Sequence, residues 1–266
     1  INYEKRIQQA LELLEKNKEE YLTPKALETY SPKFLNILSN LLEEQYRGLH
    51  LIYSQFKTLE GIGILSLILK TNGFTEFKIK KDGGVWKFDI PIEERGKPAF
   101  VLYTGSESPE EKEIIRNIFN SNWDVIPINL REELVKISEN NYLGEIIKVI
   151  MITASGAEGI SLSNVRYVHI TEPYWHPVRI EQVIGRARRI CSHKNLPKEL
   201  QTVEVFIYLM MFTDKQLETA SIDLKINDTS KLNYVKLESG QLIPCDESNK
   251  ADFIKQGKVC IPIVFT

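Results

Sequence analysis

Short apolar runs that alternate with helix-forming segments constrain this chain more than any other feature. Continuous apolar runs are typical of strands that are covered on both faces, and strands alternating with helices indicate a mostly parallel α/β sheet with helices on both faces. Strands are predicted at residues 49–56, 100–103, 123–130, 148–153, 167–170 and 201–210.

Helices are predicted between these runs. The dipeptides Ser31-Pro32 and Ser108-Pro109 are typical helix starts, with serine at the cap and proline in the first turn. Apolar residues at helical spacing predict the others. The predicted helices are residues 3–21, the segment after Ser31-Pro32, residues 59–69, the segment from Ser108-Pro109 to about 119, and residues 178–190.

Two segments depart from this alternation. Residues 78–98 are charged and contain the turn Asp82-Gly83-Gly84, which predicts a small β insertion. After Met211 the chain becomes polar and mixed, and residues 212–266 are interpreted as a C-terminal extension of unassigned role. The chain begins at Ile1 and ends inside an apolar run, which suggests a piece of a longer polypeptide.

Composition excludes several classes of protein. The 266 residues are 42% hydrophobic and carry a formal charge of −2, so any nucleic-acid site must be local and not a bulk basic surface. Three scattered cysteines favour a reducing, intracellular compartment over a disulfide framework, and the four histidines lack metal-ligand spacing. The sequence contains neither an apolar run of membrane-spanning length nor a signal peptide, so no membrane partner and no metal site are expected.

The segment from Gln182 to Arg189 reads Q-x-x-G-R-x-x-R and is the strongest functional signal. On a helix, Arg186 and Arg189 would share one face. Arginine is well suited to reach a phosphoryl group under transfer. Upstream lies the glycine turn Gly156-Ala157-Glu158-Gly159. Each piece alone has a plain interpretation, a solvated arginine surface or a tight turn, but together they favour a nucleotide site.

The residues then identify a family. The segments 156–160, 172–177 and 182–189 resemble motifs V and VI of superfamily 2 helicases, and the chromatin-remodeller branch is the nearest. Residues 51–56 and 102–105 are similar to its motifs IV and IVa. The runs 31–34 and 53–63 resemble helicases of large cytoplasmic DNA viruses, the group that includes the small subunit of the poxvirus early transcription factor.

The resemblance implies a second RecA-like lobe, which binds ATP in the cleft against a first lobe. It assigns residues 1–28 to a helical linker from that first lobe, residues 29–211 to the helicase C-terminal domain, and residues 212–266 to the extension. The phosphate-binding loop and the Asp-Glu motif of a first lobe are absent from this sequence. Mg²⁺ ligands are therefore expected on the first lobe, and this chain alone is expected not to hydrolyse ATP.

The resemblance also implies roles for individual residues. Arg186 and Arg189 would reach the γ-phosphate, with Gln182 placing them or the attacking water. Near the nucleotide it places Gly156, Glu158, Gly159 and Gly185. The contacts to a nucleic-acid backbone, with DNA favoured over RNA, are Ser54, Gln55, Thr104, Gly105 and Thr153.

Several alternatives stay open at this point. The chain could be a lobe of an ATP-dependent helicase or translocase, a helicase-like subunit of a viral early transcription factor in contact with RNA polymerase, or a non-catalytic protein-binding lobe. A viral origin would place it in the host cytoplasm, a virus factory or the virion. Trp175 and Pro177 are assigned to packing over base stacking. Cys191 stands where remodellers carry glycine, which predicts a different turn there.

Overall fold

The computed structural model describes residues 3–59, 61–105, 107–154, 159–173 and 177–210, together with three short strands further along the chain. The chain divides into two compact units, Ile1–Leu209 and Met210–Thr266. In the second unit, strands β9 (Asn233–Lys236), β10 (Leu242–Cys245) and β11 (Ile261–Pro262) form an antiparallel sheet with β9 in the centre.

The first unit is built on a six-stranded sheet in which every pairing is parallel. Its strands are β1 (Leu49–Tyr53), β2 (Thr75–Glu76), β5 (Ala99–Tyr103), β6 (Val149–Ile152), β7 (Val165–Ile170) and β8 (Glu204–Ile207). They lie in the spatial order β2-β5-β6-β1-β7-β8. The predicted RecA-like α/β class is confirmed. Five of the six strands overlap predicted runs, and the short edge strand β2 was not predicted.

Helices cover both faces of this sheet. Their bounds are α1 (Tyr3–Lys16), α2 (Lys18–Tyr21), α3 (Pro24–Tyr30), α4 (Pro32–Leu42), α5 (Ile62–Thr71), α6 (Pro109–Phe119), α7 (Ile128–Ile137) and α8 (Pro177–Ala187). Alternate residues of one strand point to opposite faces. Ile52 of β1 therefore joins the core beneath α3, α4 and α5, whereas Leu51 and Tyr53 join the core beneath α6, α7 and α8.

Two strand predictions fail where apolar residues serve another purpose. Residues 123–130 are not a strand: a 3-10 turn at Trp123–Val125 leads into α7, whose Leu130 and Leu134 are buried at helical spacing. Val125, taken as a strand residue, is 65% exposed. The last strand of the sheet, β8, is an edge strand with exposed ends, so the predicted double-sided burial is wrong there.

The predicted β insertion is a hairpin, β3 (Ile79–Asp82) and β4 (Val85–Phe88), turning at Gly83-Gly84. It is attached to α6 through Glu110, whose carboxylate accepts a 2.9 Å hydrogen bond from the Trp86 indole and a 2.9 Å hydrogen bond from the Lys81 ammonium. The hairpin is thereby connected to the body of the unit by side chains as well as by the covalent chain.

A one-directional chain of hydrogen bonds crosses the sheet beneath α4. His50 Nε2 lies 3.0 Å from the Tyr46 carbonyl, so this nitrogen must donate. His50 Nδ1 then accepts from His169 Nε2 at 3.0 Å, and His169 Nδ1 accepts from the Tyr208 hydroxyl at 2.7 Å. Both imidazoles are fully buried. This series of hydrogen bonds therefore requires both imidazoles to be neutral and each to be in one defined tautomer.

Candidate functional site at the carboxyl edge of the sheet

Four neighbouring strands of the sheet are each followed at once by a hydroxyl residue. Ser54 follows β1, Thr104 follows β5, Thr153 follows β6 and Thr171 follows β7. The strand ends lie level, because Tyr53 is in register with Ile152 and Ile170, and Ile152 with Tyr103. Ligands of open parallel α/β sheets bind at this carboxyl edge, which makes it the candidate site.

The hydroxyls of this row are buried and bind within the chain. Ser54 and Thr171 are 1% exposed, and Thr104 and Thr153 are 4% exposed. Thr153 Oγ1 donates to the Thr104 carbonyl at 3.1 Å, so this hydroxyl ties β6 to β5. The predicted phosphate-contacting hydroxyls therefore lie beneath the surface in this structure, and they order the loops that follow the strands.

Glu172 holds the loop after β1. Its carboxylate accepts from Ser54 Oγ at 2.7 Å and from Gln55 N at 3.2 Å, and it pairs with Lys33 of α4 at 3.0 Å. Only about one sixth of the Glu172 and Lys33 side chains is exposed (16% and 15%). The loop conformation is thus set by a part-buried ion pair that joins β7, β1 and α4.

The loop after β5 is organised by a second carboxylate, that of Glu107. It accepts hydrogen bonds from Thr104 N, Gly105 N and Thr104 Oγ1, each at 3.0 Å. Directly afterwards, the Ser108 hydroxyl accepts from Glu111 N at 3.2 Å and caps α6, as predicted. Loop and helix start therefore form one continuous hydrogen-bonded turn.

Tyrosines end β1 and β5 immediately before these loops. Burial raises the pKa of Tyr53, with Arg179 acting against the rise and Glu172 adding to it. Burial likewise raises the pKa of Tyr103. Both phenols therefore stay neutral over the physiological range and serve as packing groups beneath the edge.

The glycine turn is described only in part. Gly156 and Glu158 lie outside the described residues, as do Trp175 and His176. Gly159 is exposed and has a positive φ of 73°. Beyond it, the Asn120 side chain donates to the Ser161 carbonyl and accepts from Ser163 N, both at 2.9 Å. Asn120 thus fixes the segment that follows the turn to the end of α6.

The arginine motif lies on α8, but not as expected. The helix ends at Ala187, so Arg189 lies beyond it and the predicted shared helix face of Arg186 and Arg189 is wrong. The Arg189 guanidinium donates to the Ile160 carbonyl at 3.3 Å and to the Ser161 hydroxyl. Arg186 is half-buried and Gln182 is exposed. Motif VI therefore contacts the segment after the glycine turn through Arg189.

Cys191 has a φ of 60°, the left-handed conformation that favours glycine. The prediction of a different turn from the glycine substitution is therefore wrong: the turn is of the glycine type and carries a strained cysteine. The exposed thiol lies in the loop that closes α8.

Alanine replacements of two glycines near the edge are expected to change stability in opposite directions. A Cβ at Gly61 would lie 2.2 Å from the Phe56 carbonyl oxygen and 2.3 Å from Ser54 Oγ, so Gly61→Ala should destabilise by about 2–3 kcal/mol. A Cβ at Gly185, within α8, meets nothing within 4 Å, so Gly185→Ala should stabilise by about 0.5–1 kcal/mol.

Urea unfolding of the two variants measures both changes. A destabilised Gly185→Ala variant would show that glycine is needed within this chain. The expected gain in stability would show that the fold of this chain does not need glycine at position 185. Glycine there would then serve the close approach of a group outside the chain to the helix backbone.

Sequence reasoning missed four residues of the edge: Thr171, Glu172, Glu107 and Lys33. One signal was available, the repeated order of a strand followed by Ser or Thr, which identifies Thr171 together with the three predicted hydroxyls. The carboxylates gave no signal, because their partners are brought together only by the fold: 118 residues separate Glu172 from Ser54.

The fold is a RecA-like α/β fold with its candidate site at the carboxyl edge of the sheet. Residues 90–191 match the family described as the helicase conserved C-terminal domain, so the chain carries such a domain and the resemblance drawn from its motifs is confirmed. Its relatives are viral helicases. A protein named as an ATP-dependent RNA helicase of Acanthamoeba polyphaga mimivirus is 33% identical over 196 residues, which cover 74% of this chain and 29% of the relative.

A second relative, named as a termination factor NPH-I homolog of African swine fever virus, is 31% identical over 213 residues, covering 71% of this chain and 27% of that protein. This chain thus spans less than a third of either relative. Among solved structures, the C-terminal part of the Fun30 ATPase domain is similar with 16% identity and a TM-score of 0.42, over 84% of this chain and 51% of that one. No helix among the described residues has the length and hydropathy to cross a membrane.

Proposed function

We propose that this chain is the second motor lobe of an ATP-dependent nucleic-acid helicase or translocase. The observation that carries the proposal is the level row of four strand ends at the carboxyl edge, together with the contact of Arg189 in motif VI with Ile160 and Ser161 beyond the glycine turn. In the proposed domain organisation, residues 1–28 link to a first lobe, 29–211 form the motor lobe and 212–266 are an extension.

The nucleotide site of the proposal lies at α8. Arg186 and Arg189 supply positive charge to the γ-phosphate of ATP, and Gln182 positions them or the attacking water. Gly156, Glu158, Gly159 and Gly185 line the approach of the nucleotide. The residues fit a triphosphate in part: Arg186 and Arg189 are partly accessible cations, and an added Cβ at Gly185 would meet open space.

The nucleotide of the proposal is ATP with a magnesium ion. Among the described residues no cluster of three His, Cys, Asp or Glu side chains is arranged to hold a metal ion. Mg²⁺ shields the phosphate charge when it is bound with ATP. By the resemblance to helicases, its ligands are assigned to the first lobe, together with the phosphate-binding loop.

The nucleic-acid site of the proposal is the carboxyl edge. Gln55 is half-buried and Gly105 is exposed, so these two residues are positioned to meet a phosphate backbone. Ser54, Thr104 and Thr153 hold the loops beneath them. Contacts of this kind position a strand without reading its sequence. DNA is proposed as the substrate, and RNA is the alternative suggested by the names of the mimivirus relatives.

ATP hydrolysis by matched proteins tests the proposal. The polypeptide that joins this chain to a first lobe is expected to hydrolyse ATP faster when DNA is added, and this chain alone is expected not to hydrolyse ATP. A joined polypeptide that binds neither ATP nor nucleic acid would favour the third possibility, a non-catalytic protein-binding lobe. Parallel titrations with DNA and RNA decide the substrate.

A second candidate is a helicase-like factor of viral transcription. It is favoured by the relatives named as termination factor homologs. RNA polymerase would then be a partner, and the host cytoplasm, virus factory or virion the location. A transcription assay with the viral polymerase distinguishes the two: a change in initiation or termination without strand displacement supports this candidate.

A further inference from the structure

The Glu107 carboxylate is bound as a phosphate would be. Two consecutive backbone N–H groups, of Thr104 and Gly105, converge on one of its oxygens at 3.0 Å, and the Thr104 hydroxyl donates to the other at 3.0 Å. Gly105, the second of the two donors, has a φ of 95°, a left-handed conformation that favours glycine. Successive N–H groups arranged in this way form a concave anion site.

A phosphodiester can use the same three donors. It offers two free oxygens with a negative charge, and N–H and O–H groups are common donors to nucleic-acid phosphates. Thr104 is 4% exposed, and its hydroxyl donates to the Glu107 carboxylate. The site is therefore complete as an anion receptor, and the anion that occupies it comes from the chain itself.

Glu107 differs from Glu172, the other carboxylate at this edge. Glu172 reaches Lys33 and Ser54 across 139 and 118 residues, so its removal breaks contacts between separate elements. The three bonds of Glu107 to Thr104 and Gly105 go to residues two and three positions away and lie within one loop. Glu172 therefore braces separate elements, whereas these bonds of Glu107 can be exchanged without separating two elements.

We propose that Glu107 is an internal competitor of nucleic acid: its carboxylate occupies the Thr104–Gly105 phosphate site, and a backbone phosphate displaces it. The inference rests on the proposed nucleic-acid function of this edge. The competition sets a threshold for nucleic-acid binding at this site, because weak or transient contacts do not displace the tethered carboxylate. If the site is open about a tenth of the time, the competitor weakens apparent affinity by about tenfold.

Fluorescence anisotropy with a fluorescein-labelled oligothymidine tests the competition in the 266-residue chain. Glu107→Ala is expected to tighten binding by about tenfold. The matched control is Glu145→Ala, which removes the same charge from another local contact, a 2.9 Å bond from Leu143 N, and should leave affinity within about twofold because its effect is limited to net charge. Circular dichroism confirms that each variant is folded.

The double variant Thr104→Val with Glu107→Ala identifies the site. This double variant should lose most of the gain in affinity that Glu107→Ala alone gives, because the hydroxyl that donates to the phosphate is gone. Equal or weaker binding by Glu107→Ala, with normal binding by the unaltered chain, would overturn the competitor role and leave Glu107 as a loop brace. The affinities of the single variants Gln55→Ala and Thr104→Val are compared with that of the unaltered chain. If both variants bind the oligothymidine as the unaltered chain does, the edge is not the nucleic-acid site, and the function proposed for it fails as well.

Discussion

Replacing Arg186 with alanine is expected to lower the rate of ATP hydrolysis by about 10³-fold or more in the polypeptide that joins this chain to a first lobe. Nucleotide affinity should change far less. Negative charge grows on the phosphoryl oxygens in the transition state, so a guanidinium aimed at them stabilises the transition state more than the bound ground state. Arg186 is half-buried in α8, which limits the positions its side chain can take.

The neighbouring Arg188 provides a matched control. It is exposed and follows the end of α8, so Arg188→Ala removes the same charge from the same segment. We expect its turnover to stay within about threefold of the unaltered enzyme, as for a screened surface charge. Steady-state kinetics with a separate nucleotide-binding titration measures both variants. Unchanged turnover in Arg186→Ala would show that this arginine is not in the transition state.

Acidification is expected to destabilise the first unit strongly, through the buried His50 and His169. Burial lowers the pKa of His169 to about 3 and that of His50 well below its ordinary value, to which His169 and Lys148 also contribute. The unfolded chain takes up these protons near pH 6.5, whereas the folded chain does not. The free energy of unfolding should therefore fall as the pH drops below about 6.5, and continue to fall toward about 3.

The size of this effect follows from the number of protons involved. Each histidine that stays neutral contributes a slope of about 1.4 kcal/mol per pH unit. Two such histidines lower the free energy of unfolding by roughly 3 kcal/mol between about pH 6.5 and pH 5, before most carboxylates titrate. That is a large part of the stability of an ordinary domain. Urea unfolding at a series of pH values measures the slope.

Variants distinguish the contribution of the two imidazoles to the pH dependence from that of the other titrating groups. The double variant His50→Gln with His169→Gln can keep a donor and an acceptor at each position without a titrating ring, so its stability should be nearly independent of pH in this window. Tyr208→Phe removes the hydroxyl that donates to His169 and should lower stability while keeping the slope. A slope that survives in the double glutamine variant would assign it to other groups.

Elements with local signals were predictable from the sequence. Ser108-Pro109 marks the start of α6, because the serine cap and the first-turn proline act within one turn. The central strands were found from their apolar runs, since both of their faces are covered. Residues 123–130 were not, because Val125 and Ile128 are apolar yet exposed, and only the packing of Leu130 and Leu134 makes that segment a helix.

The candidate site was predictable in its motifs but not in its contacts. Ser54, Gln55, Thr104 and Gly105 were found because they lie in segments that resemble motifs IV and IVa of the helicase family. The end of α8 at Ala187 was not predicted, because it depends on the left-handed turn at Cys191 and on the contact of Arg189 with Ile160, 29 residues away. The carboxylates of Glu107 and Glu172 are assigned by loop geometry and tertiary packing, which spacing does not encode.

The level strand ends described above set which changes in chain length the edge can absorb. An extra residue inside β1, β5, β6 or β7 would advance the following Ser or Thr by about 3.3 Å and turn it to the opposite face of the sheet. The same residue added to a connecting loop would leave the row in place. Insertions such as the β3–β4 hairpin are therefore tolerated between the strands, whereas the strands themselves must keep their length.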